Sequence, residues 1–260
     1  MGIQGLDVSY AQGTIDWSLL VQNNIQFAIV KASQGKLLNN PAVGPFTDPQ
    51  FLTNVKAAKK VQLPIGVYHY LCASNIAEAE KEARYFLKIT QPVRNHIALW
   101  YAIDVEEDKY LPKDKAELTL IVHRFAQILQ SAGCKPLLYT NPNYLVYKLN
   151  DVSDIPLWLA YWGVNEASAL RYKPVVWQYG IRMINGKQYD GNLGYFKLPE
   201  KAIKKGDIVR VLNPIIYGTN RRFVLYYDTY TVLSIQGTRA VIGVNGVITA
   251  AIDVKYLERV

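Results

Sequence analysis

Short apolar runs alternate with amphipathic stretches through the first three quarters of this chain. The strand candidates are Ile3 to Val8, Phe27 to Ala32, Pro64 to Leu71, Ile97 to Val105, Pro136 to Thr140, Pro156 to Tyr161 and Val175 to Tyr179. Between them the 3.6-residue period marks helices, most clearly from Asn75 to Ile89 and from Lys113 to Ala132. Strand-helix alternation of this kind predicts parallel strands in an α/β fold. Seven or so strands in under two hundred residues predict a compact, irregular TIM-like (β/α) barrel, because the regular form takes about 250 residues.

The pattern changes after Phe196. A polar, basic, Pro-containing stretch reads as a linker over 199–205. Beyond it the helical period is gone, and short β-rich runs take over: Asp207 to Leu212, Thr229 to Ile235, Arg239 to Val244 and Val247 to Ala251. The pair Asn245-Gly246 is a strong hairpin signal. The division predicted is a barrel domain over 1–198, the linker, and a small all-β barrel over 206–260.

Composition narrows the class. With 260 residues, 50% of them hydrophobic and 12% aromatic, the chain can bury a sizeable core. No apolar run approaches the roughly 20 residues of a membrane span. The opening Met1-Gly2-Ile3-Gln4 lacks the order of a signal peptide, so the expectation is a protein made in the cytoplasm that acts only after another machine releases it. The two cysteines, Cys72 and Cys134, read as reduced, idle thiols. A formal charge of +8 points to polyanionic surroundings, yet the basic residues are scattered, without the dense run of a nucleic-acid arm.

Candidate chemistry lies where strands end. Asp104 and Glu106 close the apolar run Ile97 to Ile103; residues i and i+2 of a strand face one way, about 6 to 7 Å apart. Carboxyls held that close resist ionising together, which keeps a proton donor available near neutral pH. Asp7 ends the first run, and Asp190 follows the last. If the strands are parallel neighbours, their acids share one rim. Tyr68, Tyr139, Tyr161 and Trp177 lie in or at the ends of strands and are candidates for ligand contact, whereas Trp100 and Trp158 read as core. Lys31 ends an apolar strand and calls for a carboxylate partner, for which Asp7 is the expected one. Other chemistries fail. His69, His96 and His123 lack metal-ligand spacing, Gly180 to Lys187 reads as a turn rather than a phosphate loop, and no Gly-x-Ser-x-Gly elbow occurs.

These motifs come in a specific order: Asp7-Val8-Ser9 with Gln12-Gly13-x-Ile15-Asp16-Trp17, Phe27 to Gly35, Asp48-Pro49-x-Phe51, Gly66-Val67-Tyr68-His69-Tyr70, the Asp-x-Glu pair, Trp177-Gln178-Tyr179 and Asp190-x-Asn192. The set resembles the glycoside hydrolase family 25 lysozymes, muramidases common in bacteriophages and bacteria, over nearly all of 1–196. The resemblance implies catalytic roles for Asp7, Asp104, Glu106 and Asp190, with Glu106 as general acid, and substrate contacts from Lys31, Tyr68, Tyr139, Tyr161 and Trp177. It implies peptidoglycan glycan strands as substrate and no metal or organic cofactor. Two departures stand out: Gln34 replaces a residue that is often acidic, and Tyr195-Phe196 lie farther behind the late Asp-x-Asn than the family's aromatic commonly does.

The C-terminal part is similar to the bacterial SH3-like modules appended to cell-wall hydrolases. From residue 200 on, nine basic residues face five acidic ones, +4 net. Arg221, Arg222 and Tyr226 there pair cations with aromatic rings, which suits a wall polymer or cross-bridge peptide. The alternatives are a catalytically inactive glycan-binding relative and a purely structural wall-associated protein.

Overall fold

The computed structural model describes residues 2–36, 44–199 and 203–260, so residues 200–202 of the expected linker lie outside the described residues. The chain divides into two compact units, residues 1–199 and 200–260.

In the first unit the strands are β1 (Ile3–Val8), β2 (Phe27–Gln34), β3 (Phe46–Thr47), β4 (Ile65–Tyr70), β5 (Ile97–Asp104), β6 (Pro136–Thr140), β7 (Leu157–Ala160), β8 (Val176–Ile184) and β9 (Lys187–Gly194). Among the described residues, eight of these close on themselves in the order β1-β9-β8-β7-β6-β5-β4-β2, with β1 pairing β2 and the short β3 attached to β2. The barrel is mixed. Neighbours from β1 through β2 and on to β8 run parallel, but β9 is antiparallel to both β8 and β1. The segment read as a turn, 180–187, is a strand down to Ile184. The turn itself is only Asn185-Gly186, both at positive φ, which a two-residue hairpin connection requires.

The helices are α1 (Trp17–Gln22), α2 (Phe51–Lys60), α3 (Ile76–Thr90), α4 (Lys115–Ser131) and α5 (Glu166–Leu170). Asn75 and Asp114 start α3 and α4 one or two residues inside the expected bounds, because each side chain accepts the backbone N–H three residues on.

Strand parity sorts the residues into two layers. Leu6, Val8, Val30, Val67, Ile103 and Leu138 face outward and pack under Phe51, Phe86 and Phe125 of the helices. Phe27, Ile29, Ala102, Leu137, Trp158 and Val176 form a separate cluster with Phe196, whose ring packs on Phe27 at 5.2 Å and on Trp100 at 4.4 Å between centroids. Gly5 is obligatory here, since a Cβ would stand 2.2 Å from the Phe27 ring. Helical cover thins along β7 to β9, where α5 has five residues and β8 joins β9 by a tight turn. Aromatic side chains cover that stretch: Trp177, Tyr161, Tyr172 and Tyr179 pack there with Leu159.

The second unit is a five-stranded antiparallel sheet of β10 (Ile208–Val211), β11 (Tyr230–Gln236), β12 (Arg239–Val244), β13 (Val247–Asp253) and β14 (Leu257–Arg259), in the order β13-β12-β11-β10-β14. Val209, Tyr230, Val232, Ile242 and Ile252 are its core. The β14 strand extends beyond the four runs read from the sequence.

Candidate active site

The inner face of the barrel turns polar at the carboxyl ends of its parallel strands. Asp7 on β1 follows Gly5 inward, Asp104 on β5 follows Ala102, and Glu106 lies two residues further along the same face. Asp190 reaches the same place by a different route. It lies early on antiparallel β9, directly opposite Asp7 in the β1–β9 register, and paired positions carry their side chains on one face. The structure therefore brings Asp7, Asp104, Glu106 and Asp190 together.

Their electrostatics follow from burial and like charge. Burial, then the neighbouring Asp190, push the Asp7 carboxyl up to about 8, against two amide donors that favour its charged form: Gln178 Nε2 at 2.9 Å and Asn192 Nδ2 at 2.7 Å, both to Oδ2. Asp104 is 4% exposed and its Oδ1 is a buried oxygen without a hydrogen-bond partner. Desolvation and the nearby Glu106 raise it well above the ordinary carboxylate range, with Lys31 acting in opposition. Glu106 is exposed at the mouth, but protein on its other sides strips enough water to raise its pKa, while Lys31 pulls it down. Asp190, half-buried, is raised by desolvation.

Lys31 points inward from β2, but its partner is not the expected one. Its strongest attraction is to Asp104, then Asp48. The ammonium donates to Gln34 Oε1 at 2.8 Å and sits 4.9 Å from the Tyr70 ring centroid and 5.9 Å from that of Tyr68. The register explains the difference, because Lys31 pairs with Tyr68 on β4, and Tyr70 in turn with Asp104 on β5. Asp48, fully buried, is held by the backbone N–H groups of Tyr10 and Gln50 at 2.9 and 2.8 Å.

The aromatic candidates divide. Tyr68 and Tyr139 lie inside, edge-on to Trp158 at 6.0 and 4.4 Å. Tyr161 and Trp177 do not join them. Both belong to the aromatic cover of the thinly helical side, where Trp177 Nε1 donates to the Tyr161 carbonyl at 2.9 Å. Parity decides this: on β8 the inward positions are Val176 and Gln178, which leaves Trp177 outside. By the same parity Trp158 and Ala160 point inward and Tyr161 outward. The next inward residue, Trp162, is the aromatic the sequence reading missed; it is 48% exposed and its Nε1 donates to Gln178 Oε1 at 2.9 Å. Gln178 and Asn192 were legible only as motif members, although an amide beside a buried acid is the expected donor. Arg221, Arg222 and Tyr226 are exposed in the second unit, on the long segment between β10 and β11. Among the described residues no group of three or more His, Cys, Asp or Glu is arranged to hold a metal ion, and no helix is long and apolar enough to cross a membrane.

Comparison with known proteins bears on this cleft. The autolytic lysozyme of Clostridium acetobutylicum is 28% identical over 165 residues, 63% of this chain and 46% of that protein. A family 25 glycosyl hydrolase from Bacillus anthracis superposes with a TM-score of 0.56 at 25% identity, covering 75% of this chain and 89% of the other. The modular Cpl-1 endolysin, solved with a peptidoglycan analogue, does so at 0.57 and 25%, covering 79% and 58%. The chain spans about half the length of the curated lysozymes it matches. The family model for glycosyl hydrolases family 25 matches residues 6–186, from the strand that carries Asp7 to the hairpin before Asp190, and the chain belongs to that family.

Proposed function

We propose that the chain is a peptidoglycan hydrolase, a lysozyme-type N-acetylmuramidase that cuts the β-1,4 bond between N-acetylmuramic acid and N-acetylglucosamine. The observation that carries this reading is the crowding of four acids on one inner face, all shifted towards the protonated form, in a chain of family 25. Relatives named as lysozymes, and one solved with a peptidoglycan analogue, support the substrate class.

Glu106, the most exposed of the four, protonates the glycosidic oxygen, which leaves with the electron pair of the broken C–O bond. Asp104, the more deeply buried of the pair, either steadies the substrate's 2-acetamido group as its oxygen closes on the anomeric carbon or attacks that carbon itself. Asp7 and Asp190 hold the sugar and stabilise the positive charge that develops on the ring. Water then opens the intermediate, and the Glu106 carboxylate takes its proton. Lys31 opposes the rise of the Asp104 pKa from the flank, and Tyr68 and Tyr139 shape the cleft floor.

Residues 206–260 we read as an SH3-like wall-binding module. Support comes from the five antiparallel strands around their own core, the +4 charge of residues 200–260 with the linker included, and the exposed Arg221, Arg222 and Tyr226.

Mass spectrometry of peptidoglycan digested by the full chain tests the reaction. New reducing ends should be N-acetylmuramic acid; reducing N-acetylglucosamine, or release of peptides without glycan cleavage, sinks the assignment.

A further inference from the structure

Two carboxamides meet Asp7, and each is anchored from behind by an indole. Trp162 Nε1 donates to Gln178 Oε1 at 2.9 Å, and Gln178 Nε2 donates to Asp7 Oδ2 at 2.9 Å. Trp158 Nε1 donates to Asn192 Oδ1 at 2.7 Å, and Asn192 Nδ2 donates to the same Asp7 oxygen at 2.7 Å. An indole N–H is a donor only. It can meet only the oxygen end of an amide, and so it turns the nitrogen end towards Asp7. The Tyr139 hydroxyl also donates to Gln178 Oε1, at 3.0 Å, but a hydroxyl reverses from donor to acceptor freely and would not fix the amide alone. Flipping either amide would set a carbonyl against the carboxylate and an NH₂ against the indole N–H, losing both bonds in a buried site.

We infer that Trp162 and Gln178 are positioning residues: the indole fixes the amide, and Gln178 with Asn192 fixes which oxygen of Asp7 is tied back and which is left for a ligand. The two clamps differ in accessibility. Trp158 is 1% exposed and packed edge-on to Tyr139, so it is part of the scaffold. Trp162 is 48% exposed, and the apolar face of a saccharide ring can stack on it without disturbing its N–H bond. A sugar held there and Asp7 are then coupled through a single amide. Only the role of Asp7 in turnover rests on the muramidase reading; the clamps do not.

Two variants test this in the full chain. Trp162→Phe keeps an aromatic face and removes the N–H; Gln178→Leu removes the clamp. With Asp carboxyl carbons labelled, the NMR titration of Asp7 should move to higher pH in Gln178→Leu, because a donor to the charged form is lost, and in the same direction, by less, in Trp162→Phe. On solubilised glycan, kcat should fall about ten- to hundredfold, as for a misaligned reacting group, with KM of Trp162→Phe within about twofold of wild type, since its stacking face is kept. An unchanged Asp7 titration with wild-type kcat in Trp162→Phe overturns the inference, whether or not Gln178→Leu folds. Wild-type chain that releases no muramic acid ends while the Asp7 titration still shifts overturns the hydrolase reading and leaves the clamp in place.

Discussion

The same strands carry two buried polar clusters, one on each face, and they are built on opposite principles. Outside the barrel, between β2, β4 and α3, Ser33 Oγ meets His69 Nδ1 at 2.7 Å, His69 Nε2 meets Glu82 Oε2 at 2.9 Å, and the same Glu82 oxygen accepts the Cys72 N–H at 3.0 Å. All are buried, and His69 is packed between Phe86 and Phe125. The order Ser–His–Glu invites a reading as a nucleophile and its base, but no solvent reaches it. A polar group sealed in a core is tolerated when it is hydrogen-bonded, and this chain of bonds joins two strands to a helix. Inside, four carboxyls crowd together, one with a buried oxygen that nothing satisfies. Self-repulsion of that kind costs stability, and it persists in proteins where chemistry needs it. The hydrogen-bonded, mutually attractive cluster is scaffold, and the one that crowds like charges is site.

The largest expected effect comes from the inner cluster. Glu106→Gln keeps the shape of the side chain and removes the transferable proton, so hydrolysis should fall about 10²- to 10⁴-fold with an unchanged melting curve. Near-wild-type turnover in that variant removes Glu106 as the acid.

The outer cluster should respond the other way. Glu82→Ala leaves the His69 ring and the Cys72 N–H without partners, about 1–3 kcal/mol each for buried polar groups. Unfolding in urea should show a loss of about 2–6 kcal/mol, with lost activity following lost fold. A Glu82→Ala chain as stable as wild type would dissolve the contrast.

Asp7→Asn sharpens the comparison through pH. The Asp7 carboxyl is near 3.8 when unfolded and is raised to about 8 in the folded chain. A raised acid binds more protons folded than unfolded between those values, so its contribution to stability is undiminished below pH 4, declines as pH rises, and is fully lost above about 8. The amide carries no such penalty and can still accept from Gln178 and Asn192. Relative to wild type, Asp7→Asn should therefore gain stability steadily from pH 4 to pH 8 while losing activity. Parallel stability curves for the two chains across that range would show that Asp7 ionises freely in the fold.

Much of this was legible in the sequence, and the parts that were not share a cause. Seven strands, both long helices and the convergence of Asp7, Asp104 and Glu106 follow from local pattern, since parity along one strand needs no knowledge of its neighbours. What depends on pairing was hidden. Asp190 reaches the cleft only because β9 runs antiparallel and sets it opposite Asp7, and the 180–187 segment looked like a turn because its strand character is completed by β9. That Lys31 needs a carboxylate follows from its place at the end of an apolar strand, but which carboxylate does not, and the register puts it by Asp104 rather than Asp7. Trp177 and Tyr161 were read as sugar platforms because aromatics at strand ends often are. The stretch between β7 and β9, short of helices, uses them as cover instead, and one more step of parity would have exposed Trp162.

The smallest effect concerns the second unit. Its Arg221 and Arg222 are exposed on the same segment as the exposed Val224, Tyr226 and Tyr227. Exposed charges act through water and are screened: the Debye length falls from about 10 Å at 0.1 M salt to about 3 Å at 1 M. If this surface holds an anionic wall polymer, replacing both arginines with alanine should cut sedimentation with purified walls severalfold at low salt, and the two chains should converge at 1 M. The apolar and aromatic contribution should survive in both, because it does not depend on charge. Turnover of a short soluble glycan should be the same for both chains, since no acid of the barrel is altered and the arginines act only by raising the local concentration of the enzyme at a polymeric target. Equal sedimentation of the two chains at every salt concentration would mean that the arginines are solvated bystanders. Turnover of the soluble glycan that fell with wall binding would mean that they act on the reaction itself, which a tethering surface does not.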